Sequence, residues 1–222
     1  EELKAILNYA IKRELISKLP IFPFLPKAKR RDPNLIGTKQ EQTKLISAIQ
    51  NPKYRIMYMI NAGKPGRMCE TRAHKVKDVD LKSLKLHTRS HISDGGSILG
   101  EIDEPGRKSL RPGEPLAELV HRIPIFLAKE LEKFMRNKGP DDYLFEGEGK
   151  SKWVSRQALG EAWQKAGIKT NVAMRPYEGC KAVSAFADRI AGKSTDQIKK
   201  RTGSKSDGIL EKHYAPLLAD AG

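Results

Sequence analysis

The residues that could do chemistry lie far apart in this chain of 222 residues. Arg67 stands three positions before Glu70, Arg122 opens an Arg-Ile-Pro-Ile run, and Tyr214 lies within Glu-Lys-His-Tyr-Ala-Pro. A tyrosine hydroxyl can attack phosphorus and store the energy of the broken bond in a phosphotyrosyl ester. A guanidinium suits the non-bridging oxygens of a phosphate, because its planar fork donates two hydrogen bonds and keeps its charge. Tyrosine and arginine are therefore residue types that phosphoryl transfer through a covalent intermediate needs.

The composition favours a polyanionic partner. The chain holds 42 Lys and Arg against 27 Asp and Glu, a net charge of +15, and nucleic acid is the foremost candidate. A hydrophobic share of 38% supports a real core and excludes a disordered basic tail. Two cysteines exclude a disulfide-stapled secreted module, and no apolar run is long enough to span a membrane. We expect a reduced, soluble, cytoplasmic protein that is associated with the nucleoid through DNA.

The positive charge is concentrated towards both ends of the sequence. Residues 1–60 and 150–222 each carry a net +7, whereas residues 61–149 carry only +1. Two basic flanks around a nearly neutral middle would suit a clamp whose faces meet phosphates. The alternative is that lysine-rich helix surfaces are simply solvated.

Hydrophobic spacing predicts a mainly helical protein with one small antiparallel sheet. An amphipathic helix begins at the first residues and ends before Leu19-Pro20, which suggests a fragment whose N-terminal part was removed. The proline-rich, basic residues 20–34 are typical of an extended linker. Thr38 and Glu41 form a capping box that predicts a helix over about 38–50. Further helices are predicted at 54–60, 69–75, 126–137 and in four segments after Ser155, strands at 83–92 and 119–125, a long hairpin or loop at 93–117, and an apolar anchor at 143–145.

Three ordered stretches resemble the catalytic domain of the tyrosine recombinase (phage integrase) family. The first is Gly66-Arg67-Met68-Cys69-Glu70 with Lys77-Asp78-Val79-Asp80-Leu81, and the second is Arg122-Ile123-Pro124-Ile125 with Asp142-Tyr143-Leu144-Phe145. The third is Gly203-Ser204-Lys205-Ser206 with Glu211-Lys212-His213-Tyr214-Ala215-Pro216. Residues 1–22 also resemble the last helix of the family's core-binding domain. The resemblance therefore covers nearly the whole chain.

The resemblance implies a role for each matching residue. Arg67 would clamp the scissile phosphate, Glu70 would support its helix, and Tyr214 would be the nucleophile. Without the resemblance, Arg67 could be a solvated turn residue and Tyr214 a core tyrosine with a bonded hydroxyl. Cys69 and Cys180 lack metal-ligand spacing, so a metal-dependent nuclease is disfavoured. Four histidines, which also lack ligand spacing, are expected on the surface or in the sheet: His74, His87, His91 and His121.

The sequence departs from the family pattern at three further positions. The family's second arginine follows a histidine by three residues, and here Tyr177 and Cys180 take those places, or Lys181 if distances to later glycines are used. Ser204 stands where the family has a histidine before the tyrosine. The lysine that acts as general acid in the family has Lys108 as its candidate, although a solvated loop lysine is as good a reading. Arg175, Lys181 or Lys205 could substitute for the missing charge.

The residues and the resemblance lead to one set of expectations. The fold class is α+β and mainly helical, with a core-binding helix at 1–20, a linker at 21–36 and a catalytic domain at 37–222. The function is site-specific DNA cleavage and rejoining through a 3′-phosphotyrosyl intermediate, or DNA binding by a relative with weakened or no activity. No cofactor or metal is expected. Double-stranded DNA would bind as a partner of a monomer that forms a homo-tetramer on paired sites, through Lys27, Lys29, Arg30, Arg31, Arg175, Lys181 and Lys205.

Overall fold

The protein was analysed as a computed structural model that describes most, but not all, of the chain. The described residues are 2–18, 37–63, 67–92, 98–99, 119–148, 152–176 and 178–202. The chain divides into two compact units, Glu1–Asp32 and Pro33–Gly222. In the first unit, the amphipathic pattern forms the predicted helix, α1 (Glu2–Lys12), which ends earlier than the expected end before Leu19-Pro20. The predicted linker at 21–36 lies outside the described residues, which resume at residue 37.

The second unit is mainly helical, and its class confirms the α+β prediction. Its helices are α2 (Lys39–Ala48), α3 (Pro52–Gly63), α4 (Met68–Arg72), α5 (Ile125–Met135), α6 (Arg156–Thr170), α7 (Val183–Ile190) and α8 (Thr195–Thr202). A single 3-10 turn covers Val76–Asp78, and a π-helical turn, Glu178–Ala182, leads directly into α7. The third predicted helix is shorter than expected, because α4 ends at Arg72 rather than near residue 75.

Local capping explains where the predicted helices begin and end. The Thr38 hydroxyl accepts a hydrogen bond from the Glu41 amide at 3.1 Å, and the Glu41 carboxylate returns to the Thr38 amide at 2.7 Å. This capping box was predicted and is confirmed. Ser155 caps α6 through the Ala158 amide at 3.0 Å, and Asn171 ends that helix in a left-handed conformation with φ of 54°.

The sheet has strand order β1-β2-β5, formed by β1 (Val79–Asp80), β2 (Lys85–Thr88) and β5 (Leu119–Arg122). All pairs are antiparallel, and Thr88 faces Leu119 across the sheet. The predicted strand at 83–92 is split, because its last two residues form β3 (His91–Ile92), which pairs instead with β4 (Ile98–Leu99). The strand predicted to reach Ile125 ends at Arg122, because Pro124 has no amide hydrogen and caps α5 instead.

Aromatic and aliphatic side chains from α3, α5 and α6 form the main core. The rings of Tyr58 and Trp163 pack with centroids 4.6 Å apart, and the Tyr58 hydroxyl donates to the Leu159 carbonyl at 2.8 Å. The predicted anchor is confirmed, since Leu144 and Phe145 are both fully buried. The indole of Trp163 donates to the Met174 carbonyl at 2.6 Å, so its polar atom is satisfied inside the core.

One expectation about the histidines was wrong. His74 lies neither on the surface nor in the sheet, because it follows α4 and is only 2% exposed. Its Nε2 atom lies 3.2 Å from the Thr88 hydroxyl, and its carbonyl accepts from the Leu144 amide at 2.9 Å. A buried imidazole needs such partners, so the polar environment at the end of α4 explains its position. His91 is buried as well, although it belongs to a strand as predicted.

In the part of the chain that the structure describes, no helix is both long and apolar enough to cross a lipid bilayer.

Truncation of the buried side chain of Leu131 should destabilise the protein strongly. Leu131 on α5 is fully buried, so Leu131→Ala removes buried methyl groups and leaves a cavity. We expect a loss of about 2–5 kcal/mol in the free energy of unfolding, measured by urea denaturation. Glu132→Ala, at the exposed neighbouring position, is the matched control and should change stability by less than about 0.5 kcal/mol. Equal effects of the two substitutions would contradict the assignment of α5 to the core.

Candidate active site

Helix α4 presents Arg67 at its N-terminus. Arg67 is the N-cap residue, with extended backbone angles, and its side chain is partly exposed. The carboxylate of Glu70, three residues later, accepts a hydrogen bond from the Arg67 amide at 3.1 Å. Glu70 is only 6% exposed, so a buried carboxylate fixes the backbone where the chain enters α4. The contact gives Glu70 a supporting role towards Arg67, in line with the role that the resemblance implies.

Two further side chains of α4 attach the helix to the rest of the domain. Arg72 is buried and donates from Nε to the Val154 carbonyl at 2.6 Å. The Thr71 hydroxyl lies 3.4 Å from the side-chain oxygen of Asn61 on α3, and both residues are buried. A short helix has little stability of its own, so these tertiary contacts hold Arg67 in place.

The same Asn61 side chain connects α4 to Cys180. Cys180 lies in the π-helical turn, is fully buried and receives a side-chain hydrogen bond from Asn61. Burial raises the pKa of the Cys180 thiol to about 12, although Asn61 and Lys39 act in the opposite direction. At neutral pH this side chain is therefore an uncharged, enclosed thiol. It offers a phosphate neither charge nor an accessible donor.

The turn that carries Cys180 is held by Gln42 and enclosed by Trp163. The Gln42 amide on α2 donates to the Gly179 carbonyl, and it lies 3.4 Å from the Ser184 hydroxyl. Ser184 in turn donates to the Ala62 carbonyl at 2.6 Å. A Cβ atom at Gly179 would collide with the Trp163 ring, so glycine is the residue that this approach allows. Helices α2, α3, α6 and α7 are thus joined around one buried position.

A second cluster of charged groups surrounds Asp188 on α7. Asp188 is 5% exposed, and its carboxylate accepts from the Arg201 guanidinium and from the Lys193 ammonium, the latter at 2.7 Å. Arg201, near the end of α8, also donates from Nη2 to the Gly63 carbonyl at 2.7 Å. Gly63 is the last residue of α3. The guanidinium therefore ties the ends of α3 and α8 to α7.

Lys39, the first residue of α2, lies close to this cluster. Its ammonium donates to the Gln42 side chain, and its stem is partly exposed. Burial of the ammonium lowers the pKa of Lys39, and the positive charge of Arg201 lowers it further. Cys180 and Asp188 act on the pKa of Lys39 in the opposite direction.

A cleft of about 750 Å³ opens beside Arg201. Its lining combines basic residues from β5 and α8 with apolar residues, most of them from β5 and the start of α5. The basic residues are Arg122, Lys200 and Arg201, and the apolar ones are Leu84, Val120, Ile123, Pro124 and Ile125. Gly63, the last residue of α3, also lines the cleft. Arg67 follows it by four positions in the sequence.

Solved structures share this architecture along almost the whole chain. XerA recombinase is 14% identical, with a TM-score of 0.60 over 98% of this chain and 71% of that chain. The Tn1549 transposon integrase in complex with circular intermediate DNA is 14% identical, with a TM-score of 0.65 over 99% and 76%. A lambda integrase dimer bound to a COC′ core site is 14% identical, with a TM-score of 0.58 over 91% and 69%. The chain has the tyrosine recombinase fold. No protein-family model and no curated protein matches its sequence.

The tyrosine recombinase fold was thus predicted correctly, but only part of the predicted site falls in the described chain. Arg67 and Glu70 are joined at the start of α4, and Cys180 lies in the π-helical turn near Asn61, whose side chain also contacts Thr71 of α4. Arg175 is exposed and precedes that turn. For Lys181 the backbone is described and lies in the turn. The remaining predicted site residues lie outside the described residues: Lys27, Lys29, Arg30, Arg31, Lys108, Tyr177, Ser204, Lys205 and Tyr214.

Two charged residues near this candidate site were missed in the sequence. Lys39 lies between Thr38 and Glu41 of the correctly predicted capping box, and this motif gives no reason to single it out as a site residue. Arg201 ends the basic run Lys199-Lys200-Arg201, which has the composition of a solvated helix surface. The signal for Arg201 was the nearby Asp188, a lone acid on the otherwise apolar face of α7, which needs a positive partner when buried. Among the described residues, no group of three potential metal ligands was found.

The two cysteines should differ in reactivity. Cys180 is fully buried and the pKa of its thiol is raised, whereas Cys69 is partly exposed. Because thiolates are the reactive species, we expect iodoacetamide at pH 8 to label Cys69 alone in the folded protein. Peptide mass spectrometry would then show Cys180 labelled only after denaturation. Equal labelling rates of both thiols in the native protein would show that the enclosure of Cys180 is wrong.

The bond between Glu70 and the Arg67 amide should be measurable as stability. Glu70→Ala removes the buried acceptor, and we expect a loss of about 1 kcal/mol in the free energy of unfolding. Glu70→Gln is the matched variant, because its side-chain oxygen can still accept the bond. It should retain more stability than Glu70→Ala in urea unfolding. A larger loss for glutamine than for alanine would rule out the capping role.

Proposed function

We propose that this protein is a tyrosine recombinase that cleaves and rejoins double-stranded DNA at specific sites. The observation that carries the proposal is Arg67, held at the start of α4 by the buried Glu70 carboxylate within the tyrosine recombinase fold. The bond fixes the Arg67 backbone at the start of the helix, and a partly exposed guanidinium carried by a fixed backbone can stabilise an anion as charge develops. The DNA-bound state of two neighbours, the Tn1549 integrase and lambda integrase, supports DNA as the substrate.

The proposed reaction needs no outside energy source. The Tyr214 hydroxyl loses its proton to solvent as its oxygen attacks the scissile phosphorus, a 3′-phosphotyrosyl ester forms, and the bond to the 5′ oxygen breaks. Lys108 is the proposed general acid that gives a proton to this leaving oxygen. Arg67 stabilises the negative charge on the non-bridging oxygens in the transition state. Attack by a 5′ hydroxyl on the phosphotyrosyl ester reverses the steps and joins the strands.

The proposed grip on DNA is electrostatic. Both basic flanks of the sequence, each with a net charge of +7, would meet the phosphates of the duplex. The proposed contacts include the basic run at 27–31, Arg175, Lys181 and Lys205, which position the duplex without reading its sequence. We further propose that the protein is a monomer without DNA and forms a tetramer on paired sites.

A second candidate function is DNA binding without efficient cleavage. It is favoured by Cys180, because an enclosed neutral thiol stands where the resemblance expects the second arginine. Loss of one donor to a developing oxyanion typically costs about 3–4 kcal/mol, or 10²–10³ in rate. This candidate predicts binding to duplex DNA that weakens with salt, with no covalent product.

A nicked suicide half-site distinguishes the two functions. Cleavage of such a substrate releases a short fragment that carries the free 5′ hydroxyl. Because this fragment diffuses away, the strands cannot be rejoined and the phosphotyrosyl ester accumulates. We expect the wild-type protein to form an adduct that survives denaturing electrophoresis, and Tyr214→Phe to form none, because it lacks the attacking oxygen. Arg67→Lys keeps the charge without the fork and should slow adduct formation by about 10²-fold.

DNA binding serves as the control in this experiment. Tyr214→Phe should bind the same duplex with unchanged affinity by fluorescence anisotropy, since it alters a hydroxyl and no charge. Binding by the wild type without any adduct would support the second candidate. An adduct formed equally by wild type and Tyr214→Phe would overturn Tyr214 as the nucleophile.

A further inference from the structure

The ends of three helices and the π-helical turn meet beside Cys180. Lys39 begins α2, Gly63 ends α3, Cys180 lies in the turn before α7, and Arg201 lies in the last turn of α8. Arg201 donates to the Gly63 carbonyl at 2.7 Å. Lys39 donates to Gln42, whose amide donates to the carbonyl of Gly179, the residue before Cys180. Gln42 also lies 3.4 Å from the Ser184 hydroxyl, which donates to the carbonyl of Ala62, the neighbour of Gly63. Hydrogen bonds therefore connect both positive side chains to the residues around the turn where the resemblance expects an arginine.

Gly63, which Arg201 contacts, is close to Arg67 along the chain. Arg67 follows Gly63 by four residues, so their Cα atoms are at most about 14 Å apart even if the connection is fully extended. A second connection runs through Asn61, whose side chain contacts both Thr71 on α4 and Cys180. The side chains of arginine and lysine extend several ångströms, so Arg67 and the pair can approach one phosphate from two sides.

We propose that Lys39 and Arg201 form a second cationic site for the scissile phosphate and supply the positive charge that Cys180 cannot. This inference rests on the proposed recombinase function and adds two phosphate-binding residues to it. Arg201 has five N–H groups, and its bonds to Asp188 and Gly63 use two of them. The Lys39 ammonium has three N–H groups and gives one to Gln42. Donors for phosphate oxygens thus remain in addition to these bonds.

The electrostatics of the pair favour an anion. Two neighbouring cations repel each other, which is why Arg201 contributes to lowering the pKa of Lys39. A phosphate bound between them would relieve this repulsion and keep Lys39 protonated. An arginine at 180 would instead add a third positive charge beside the same two groups. The uncharged Cys180 is therefore compatible with Lys39 and Arg201, and the three residues form one consistent arrangement.

Loss of charge at Lys39 provides the first test, because its partly exposed side chain can be changed with little effect on folding. In the suicide half-site assay, Lys39→Gln should form the phosphotyrosyl adduct about 10²-fold more slowly than wild type. Lys39→Arg, which restores the charge, should recover most of this rate. Lys44→Gln removes an exposed charge from the same helix away from the cluster and should change the rate less than about 3-fold.

A substrate with a neutral methylphosphonate at the scissile position separates a phosphate contact from a structural role. This group lacks one charged oxygen, so a cation that neutralises that oxygen is no longer needed. We expect Lys39→Gln and wild type to differ by less than about 3-fold on the methylphosphonate, against about 10²-fold on the phosphate. An equal loss on both substrates would mean that Lys39 acts only through the structure, and it would overturn the inference.

Arg201→Gln provides the second test. Asp188 keeps Lys193 as a partner in this variant, and a thermal unfolding curve monitors the folded state. The same selective loss on the phosphate substrate is expected. If wild type forms an adduct and both Lys39→Gln and Arg201→Gln match it, the inference fails while the proposed function stands. If wild type binds DNA but forms no adduct on either substrate, the proposed function itself fails, and this inference with it.

Discussion

The buried carboxylate of Asp188 is the interaction on which the arrangement of the site depends. A carboxylate that is 5% exposed must be paired, because an isolated charge in the interior costs several kcal/mol. Its partners, Arg201 and Lys193, come from segments that follow α7 in the chain. The bond to Asp188 Oδ1 holds Arg201 near the end of α3, where its guanidinium also donates to the Gly63 carbonyl. One acidic side chain thereby sets the positions of two cations.

A neutral polar network complements this charged cluster on the other side of Cys180. Asn61, Gln42 and Ser184 connect α2, α3, α4 and α7 through side-chain bonds, and all three are buried. Such bonds have directional requirements that apolar packing lacks, so they specify how the helices meet. The charged cluster sets the electrostatic potential at the site, and the neutral network sets the relative positions of the helices. Arg67 benefits from both, since α4 is attached to the network through Thr71.

The sequence was sufficient for the fold and insufficient for the charges around the site. Capping at Thr38 and the apolar anchor at Leu144 and Phe145 are local signals that the structure confirms. The fold that the ordered motifs predicted is confirmed by the shared architecture of the solved structures. The proximity of Lys39 to Arg201 joins residues 162 positions apart. No periodicity encodes such a distance. The prediction for His74 was wrong for the same reason, because its partner Thr88 belongs to a different element, β2.

Because Thr88 pairs with Leu119, the length of the segment between these two residues is not constrained by the sheet. Directly paired residues in an antiparallel sheet have Cα atoms about 5 Å apart, so the chain leaves β2 and re-enters β5 at nearly the same point. The intervening length can therefore change during evolution without altering the register of the sheet. Lys108 belongs to this stretch, whereas Arg67, Lys39 and Arg201 belong to the helices. The proposed phosphate binding and the proposed proton donation can consequently diverge at different rates on one scaffold.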